Sequence, residues 1–177
     1  MTIEQIEIGA LHIEDYRQLL EAMKASYRDW QGGYWSQGAI ERLIEKFPEG
    51  QIVIKADGVV VGCGLSIIVE YKRFGDNHTY QQITGNYTFN THNPKGDVLY
   101  GIEIFIHPDY RGLRLGRRLY DARKDLCENL NLRAIVFGGR LPTYHEYADQ
   151  LSPKEYIVKV KSKEIYDPVL SFQLSND

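Results

Sequence analysis

No apolar run in this 177-residue chain approaches the roughly 20 residues that a membrane-spanning helix needs; the longest, VVVGCGLSIIV, ends after residues 59–69. A membrane protein of the helical kind is therefore not expected. Cysteine is scarce, with Cys63 and Cys127 alone. Neither belongs to a ligand-spaced pair, which argues against a disulfide framework and against a thiolate metal site. Two buried, reduced thiols are expected instead. An excess of one charge is also missing. Lys and Arg number 21, Asp and Glu 24, and the net charge is −3, so nothing in bulk favours nucleic acid as a partner. The start, MTIEQIEIGA, has no basic segment leading into an apolar run, so no secretory leader is expected and a cytoplasmic protein is. The triplets at Asn77 and Asn86 then read as chance matches to a glycosylation signal. No Ser/His/Asp or Cys/His set is legible. His92 and His107 stand alone, read as surface histidines, and no metal is expected.

What is present is an ordinary globular composition, 43% hydrophobic and 25% charged, in a length that suits one domain over 1–177. IEIGAL reads as a first strand. HIEDYRQLLEAMKASYRDW follows with helical spacing at Tyr16, Leu19, Leu20 and Met23, and SQGAIERLIEKF is a second helix capped by Ser36. QIVIKA and VVVGCGLSIIVEY are strands joined by Asp57-Gly58, a strong hairpin signal. Residues 72–98 are polar, with Tyr80, Tyr87 and Phe89 interleaved, and read as an ordered excursion near a site. VLYGIEIFI is the next strand. Leu115, Leu119, Ala122, Leu126 and Leu130 keep helical spacing after it, and LRAIVFGG is a further strand. Ser152, Pro153 and Glu155 form a capping box and helix start, and DPVLSFQL begins a last helix. The order is that of an α/β domain.

One stretch runs against local electrostatics. IHPDYRGLRLGRRLYDARKDL gathers Arg111, Arg114, Arg117 and Arg118 where a strand gives way to a helix. A helix start carries partial positive charge and unpaired N–H groups, so it repels cations and attracts anions. A bound phosphate group would reconcile the two, through forked guanidinium contacts and close backbone approach at Gly112 and Gly116. The competing reading is a solvated face of an amphipathic helix, and Arg123 and Lys124 are assigned to that face.

IHPDYRGLRLGRRLYDA resembles the acyl-CoA signature of the GNAT superfamily of N-acyltransferases: an apolar strand, V-x-P, Q/R-x-x-G-x-G/A, then a helix. Arg111 matches the first position of that motif and Gly116 the last, while Arg114 stands in place of its middle glycine. FPEGQIVI, the long segment from His92 to Arg133, GGRLPTYHEYAD and YDPVLSFQLSN are similar to one subgroup, whose members precede a nitrilase-like carbon–nitrogen hydrolase domain and share that arginine. The chain ends where the last strands of the superfamily would begin, and an edge so exposed could be covered by a second copy in a homodimer.

The resemblance implies a mostly antiparallel mixed sheet, flanked by helices and splayed between its fourth and fifth strands. Acetyl-CoA would be the cosubstrate. Its pantetheine arm would bond to the backbone of Ile104, Phe105 and Ile106. Its pyrophosphate would meet Arg111, Gly112, Leu113, Arg114, Leu115, Gly116 and Arg117. Acyl transfer to an amine needs a proton acceptor, and Glu103, inside an apolar strand, is the candidate base; a solvated or ion-paired strand residue is the alternative. Where many members carry an acidic tyrosine, this chain has Gln173. Tyr144 is the substitute, with Tyr147 and His145 as rivals. The implied activity is an N-acetyltransferase acting on a small-molecule or peptide amine. The alternative is a non-catalytic acyl-CoA-binding or regulatory module associated with a carbon–nitrogen hydrolase.

Overall fold

The computed structural model describes residues 3–28 and 32–176. It divides the chain into two compact units, Met1–Phe137 and Gly138–Asp177. The larger unit carries β1 (Ile6–Ala10), α1 (Tyr16–Ser26), α2 (Gln37–Lys46), β2 (Gln51–Ala56) and β3 (Val59–Val69). It continues with α3 (Tyr80–Ile83), β4 (Val98–Ile106), α4 (Leu115–Asn129) and β5 (Ala134–Phe137). The smaller holds α5 (Pro153–Lys161) and α6 (Pro168–Leu174). Asp29 and Trp30, the expected end of the first long helix, lie outside the described residues.

The five strands form one sheet in the order β1-β2-β3-β4-β5. The first four run antiparallel, and β5 pairs parallel to β4. The β2–β3 turn is the expected two-residue hairpin: Asp57 and Gly58 have φ of 49° and 78°, the left-handed pair that matches strand twist. The Asp57 carboxylate also accepts the Glu4 and Gln5 N–H groups, tying the hairpin to the chain leading into β1.

Apolar side chains cover both faces. On one, Leu19, Ala22 and Met23 of α1 and Ile40 and Leu43 of α2 pack on Val53, Cys63, Leu65, Tyr100 and Phe105. On the other, Leu115 and Leu119 of α4 pack on Ile52, Ile54, Val61, Ile104 and Ile106. Strict alternation along β4 would put Ile102 with Ile104 and Ile106, but it lies with Tyr100 and Phe105 on the α1 face. The cause is a bulge. Leu65 pairs with Glu103 and Ser66 with Gly101, so Ile102 is the extra residue of β4.

The excursion at 72–98 is ordered around α3, which Thr79 and Gln82 start with a reciprocal capping box. Ile83 and Phe89 from it are fully buried. His92 is no free surface histidine. It stacks on Phe47 at 5.1 Å and its Nδ1 accepts the Ile68 N–H at 3.1 Å. His107 caps the turn that follows β4, accepting the Asp109 N–H at 3.2 Å.

In the smaller unit Asp167 is fully buried and starts α6, accepting the N–H groups of Val169 and Leu170. The Tyr156 hydroxyl donates to it at 2.7 Å and the Thr143 hydroxyl at 3.1 Å. Ser152 and Glu155 form the expected capping box at α5. No described helix is long and apolar enough to cross a membrane.

Burial pushes the Asp167 carboxyl up, but the Leu170 N–H and the Tyr156 and Thr143 hydroxyls outweigh it and hold the group below the ordinary carboxylate range. A depressed folded-state value adds stability that is present above the unfolded value of about 3.9 and lost as pH falls through the folded one. Acid titration followed by circular dichroism should show helix loss beginning below about pH 4. Asp167→Asn should flatten that transition and lower stability at pH 7.

A second expectation concerns Gly62, where a Cβ would sit 2.6 Å from the Phe105 carbonyl oxygen. Gly62→Ala should cost about 1–3 kcal/mol, read as a lowered urea midpoint.

Candidate active site

Three parts of the larger unit converge where β4 leaves its neighbour. The β4–β5 pairing runs from Val98–Ala134 to Gly101–Phe137 and stops. From Ile102 onward β4 keeps β3 but has no strand on its other side among the described residues. The expected splay is therefore present, and the bulge marks where it starts.

Backbone direction then decides which β4 groups face the opening. His107 N–H donates to Val61 O at 2.7 Å, so His107 points toward β3. Directions alternate along a strand, which turns Phe105 toward β3 and Ile104 and Ile106 away from it. The side-chain partners agree. Ile104 N–H donates to Glu103 Oε1 at 3.0 Å, and Ile106 O accepts from Ser26 Oγ at 3.3 Å and Arg111 Nε at 3.4 Å. Of the three residues expected to hold an extended arm, Ile104 and Ile106 offer main-chain groups to the open edge. Phe105 contributes a buried ring, edge-on to Tyr27 at 5.8 Å.

Glu103 lies beside this opening. Its Oε1 accepts the Tyr27 hydroxyl at 2.6 Å and its Oε2 the Trp35 indole N–H at 3.3 Å. Both donors come from the chain around the α1–α2 connection, far away in sequence. The carboxylate is thus oriented from two sides and held in the opening.

Beneath it lies Arg123, which corrects the expectation of a solvated face. The side chain is 1% exposed. Its guanidinium donates to Leu65 O at 2.8 Å and to Glu103 O, the carbonyls that face each other at the bulge. Two glycines leave it room. A Cβ at Gly64 would lie 3.3 Å from its Nε, and one at Gly101 3.2 Å from an Nη. Burial pulls the Arg123 value down, while Tyr120, Cys63, Glu103 and Tyr80 oppose that pull. Cys63, fully buried nearby, is pushed well above the usual thiol range by burial first and by the Glu103 charge second. A thiol in that state is no nucleophile.

The third part is the turn into α4. Gly112 has φ 84° and Arg114 φ 57°. The left-handed Arg114 backbone occupies the place of the signature's middle glycine and keeps its shape at some steric cost. No hydrogen bond from the N–H groups of Gly112, Leu113 or Arg114 is present among the described residues. The first helical N–H with a partner in its own helix is Arg118, bonded to Arg114 O at 3.3 Å. The N–H groups of Leu115, Gly116 and Arg117 begin the helix and have no intrahelical acceptor. Leu115 and Gly116 are buried, whereas Arg111, Arg114, Arg117 and Arg118 are exposed around them. Such a row of N–H groups, ringed by guanidinium groups, suits a phosphate.

Tyr144 belongs to the smaller unit. Its hydroxyl donates to Leu151 O at 2.8 Å and its ring meets Tyr156 at 5.3 Å. His145 donates through Nδ1 to Pro142 O at 2.9 Å, and Tyr147 packs on Tyr156. Gln173 lies in α6 of the same unit, against Gly139. Among the described residues no group of three or more His, Cys, Asp or Glu side chains is placed to hold a metal.

The sequence model of the acetyltransferase (GNAT) family matches residues 16–147. The chain belongs to the GNAT family. Two curated relatives come from Bacillus subtilis. The chain is 44% identical over 142 residues to one called probable hydrolase YhcX, covering 80% of this chain and 28% of that protein. It is 34% identical over 140 residues to the uncharacterized N-acetyltransferase YkwB, covering 79% of this chain and 62% of that one. In both cases the match spans less than two thirds of the relative. Among solved structures, the loading GNATL domain of CurA from Lyngbya majuscula shares the fold with a TM-score of 0.79 at 22% identity, over 97% of this chain and 83% of that one. The GNAT-like decarboxylase GphF, in complex with isobutyryl-CoA, superposes with a TM-score of 0.67 at 19% identity, over 96% and 84%.

Removing the Arg123 guanidinium would leave Leu65 O and Glu103 O without their buried donor. Arg123→Met should lower stability by about 1–3 kcal/mol in urea unfolding. Arg123→Lys, which keeps a charge but not the planar fork, should fall between the variant and the parent.

Proposed function

We propose that the chain is an acyl-CoA-dependent N-acyltransferase that moves an acetyl group from acetyl-CoA to a primary amine. The observation that supports this reading is the Glu103 carboxylate at the open edge of β4, where it accepts the Ile104 N–H at 3.0 Å. The pantetheine arm would lie along that edge as an added strand. The pyrophosphate would sit on the N–H groups at Gly112–Arg117, with Arg111, Arg114 and Arg117 as counter-charges.

The amine must lose a proton to use its lone pair. Glu103 accepts it, directly or through one water, as nitrogen attacks the thioester carbonyl carbon. The C–S bond then breaks and the thiolate takes a proton. Water can supply that proton. The orientation of Glu103 by Tyr27 and Trp35 gives the base a fixed position, which is where most of a proton-transfer advantage lies.

A second reading has its own support. Gln173 stands where many members of the family carry an acidic tyrosine, and glutamine cannot deliver a proton as a phenol does. The relative YhcX is called a probable hydrolase, and this chain matches 28% of it. On that reading the domain binds acyl-CoA and regulates a carbon–nitrogen hydrolase without chemistry of its own.

Thiol release from acetyl-CoA with a panel of primary amines separates the two. Release that depends on the amine supports the transferase; tight CoA binding with no release for any amine supports the module. Glu103→Gln should lower turnover by about 10²–10⁴-fold with CoA affinity retained. Arg111→Ala combined with Arg114→Ala should weaken CoA binding sharply in calorimetry, and unchanged affinity would remove the phosphate site.

A further inference from the structure

We propose that the acceptor is a primary monoamine with a planar, apolar body, held on an aromatic wall beside Glu103. The proposal rests on the transferase reading for the role of Glu103 and goes beyond it in naming what the site selects.

The wall is a closed circuit of contacts. Glu103 accepts the Trp35 indole N–H at 3.3 Å. The Trp35 ring meets Tyr87 edge-on with centroids 5.8 Å apart. Tyr87 meets Tyr80 at 6.1 Å. The Tyr80 hydroxyl donates to Ile102 O at 2.9 Å, one residue before Glu103. Trp35, from the α1–α2 connection 68 residues before Glu103, is thereby joined to rings of the excursion around α3, whose Tyr80 reaches the carbonyl of the residue preceding Glu103.

These rings are not sealed in the core. Tyr80 is 37% exposed and Tyr87 42%, whereas Phe89, which backs Trp35 at 5.8 Å, is fully buried. A large aromatic surface left to water next to a polar group is a common mark of a ligand site. An aromatic face attracts an ammonium through its quadrupole and stacks on a flat apolar body. Glu103 supplies the one carboxylate in the circuit, which matches one ammonium.

The charge on the far side argues against a polyamine. Arg42 donates through Nη2 to Tyr87 O at 3.3 Å, so a guanidinium stands at the main chain of Tyr87. A second or third ammonium group extending along the rings would meet it as a like charge.

Calorimetry on the full chain, with and without saturating CoA, reads this directly, because no acyl group is present to be transferred. Phenethylamine should bind at least tenfold tighter than butylamine and at least tenfold tighter than spermidine. Tyr87→Ala should remove the preference for phenethylamine over butylamine while leaving the CoA dissociation constant within twofold, which also reports that the fold survives. Tyr80→Phe, which keeps the ring and drops the hydroxyl, should retain the preference. Equal affinity for phenethylamine and butylamine, tighter binding of spermidine, or an unchanged preference in Tyr87→Ala would overturn the proposal. The outcomes stay separable from the transferase reading. Phenethylamine bound with preference, but no thiol released from acetyl-CoA, would sink the transferase and leave the wall. Butylamine and phenethylamine bound and acetylated alike would do the reverse.

Discussion

The buried guanidinium of Arg123 is the constraint on which the geometry of the opening depends. A bulge leaves backbone carbonyls out of the ladder, and a carbonyl buried without a donor costs about 1–3 kcal/mol. Arg123 answers Leu65 O and Glu103 O with one side chain. The extra residue at Ile102 can then persist in the middle of a sheet, and β4 can turn away from β5 after Gly101. Without the bulge, alternation would put Glu103 on the wrong face or pair its strand to the end. The cation is expensive to bury, which is why Gly64 and Gly101 flank it and why it makes two bonds to carbonyls rather than none. Stability and the shape of the opening therefore meet in one buried residue.

Polarity is arranged in two separate zones along β4. Near its end, N–H groups and arginines present positive potential to an anion. Around its centre, one carboxylate lies among aromatic rings. Glu103 accepts from a phenol, an indole and a backbone N–H. A neutral donor orients a carboxylate while leaving its charge available to a proton or an ammonium.

Much of this was legible in the amino-acid sequence because local rules governed it. Asp57-Gly58 dictates a left-handed turn whatever surrounds it. Ser36, Ser152 and Asp167 cap helices through contacts two or three residues away. The strand–turn–helix signature with Arg111 and Gly116 lies in one continuous segment. What escaped depends on partners distant in the chain. Nothing in VLYGIEIFI says that Ile102 is the extra residue, since a bulge is defined by the opposite strand. Tyr27 and Trp35 donate to a carboxylate about 70 residues away. Arg123 did leave a signal: it sits four residues after Leu119 and four before Cys127, on the buried stripe of α4, facing strands that carry glycines at positions 64 and 101. Its spacing marks the buried face of the helix, although its charge suggests solvent.

The left-handed Arg114 backbone fixes how α4 begins, and Arg123 lies nine residues later on the same rod, about 13 Å along its axis. One helix thus joins two features of the larger unit: its start carries the exposed arginines and its middle bonds to β4 through the Arg123 guanidinium. The shape of that turn and the seat of Glu103 are therefore fixed by one continuous element, so a change in how the helix starts alters the strand as well.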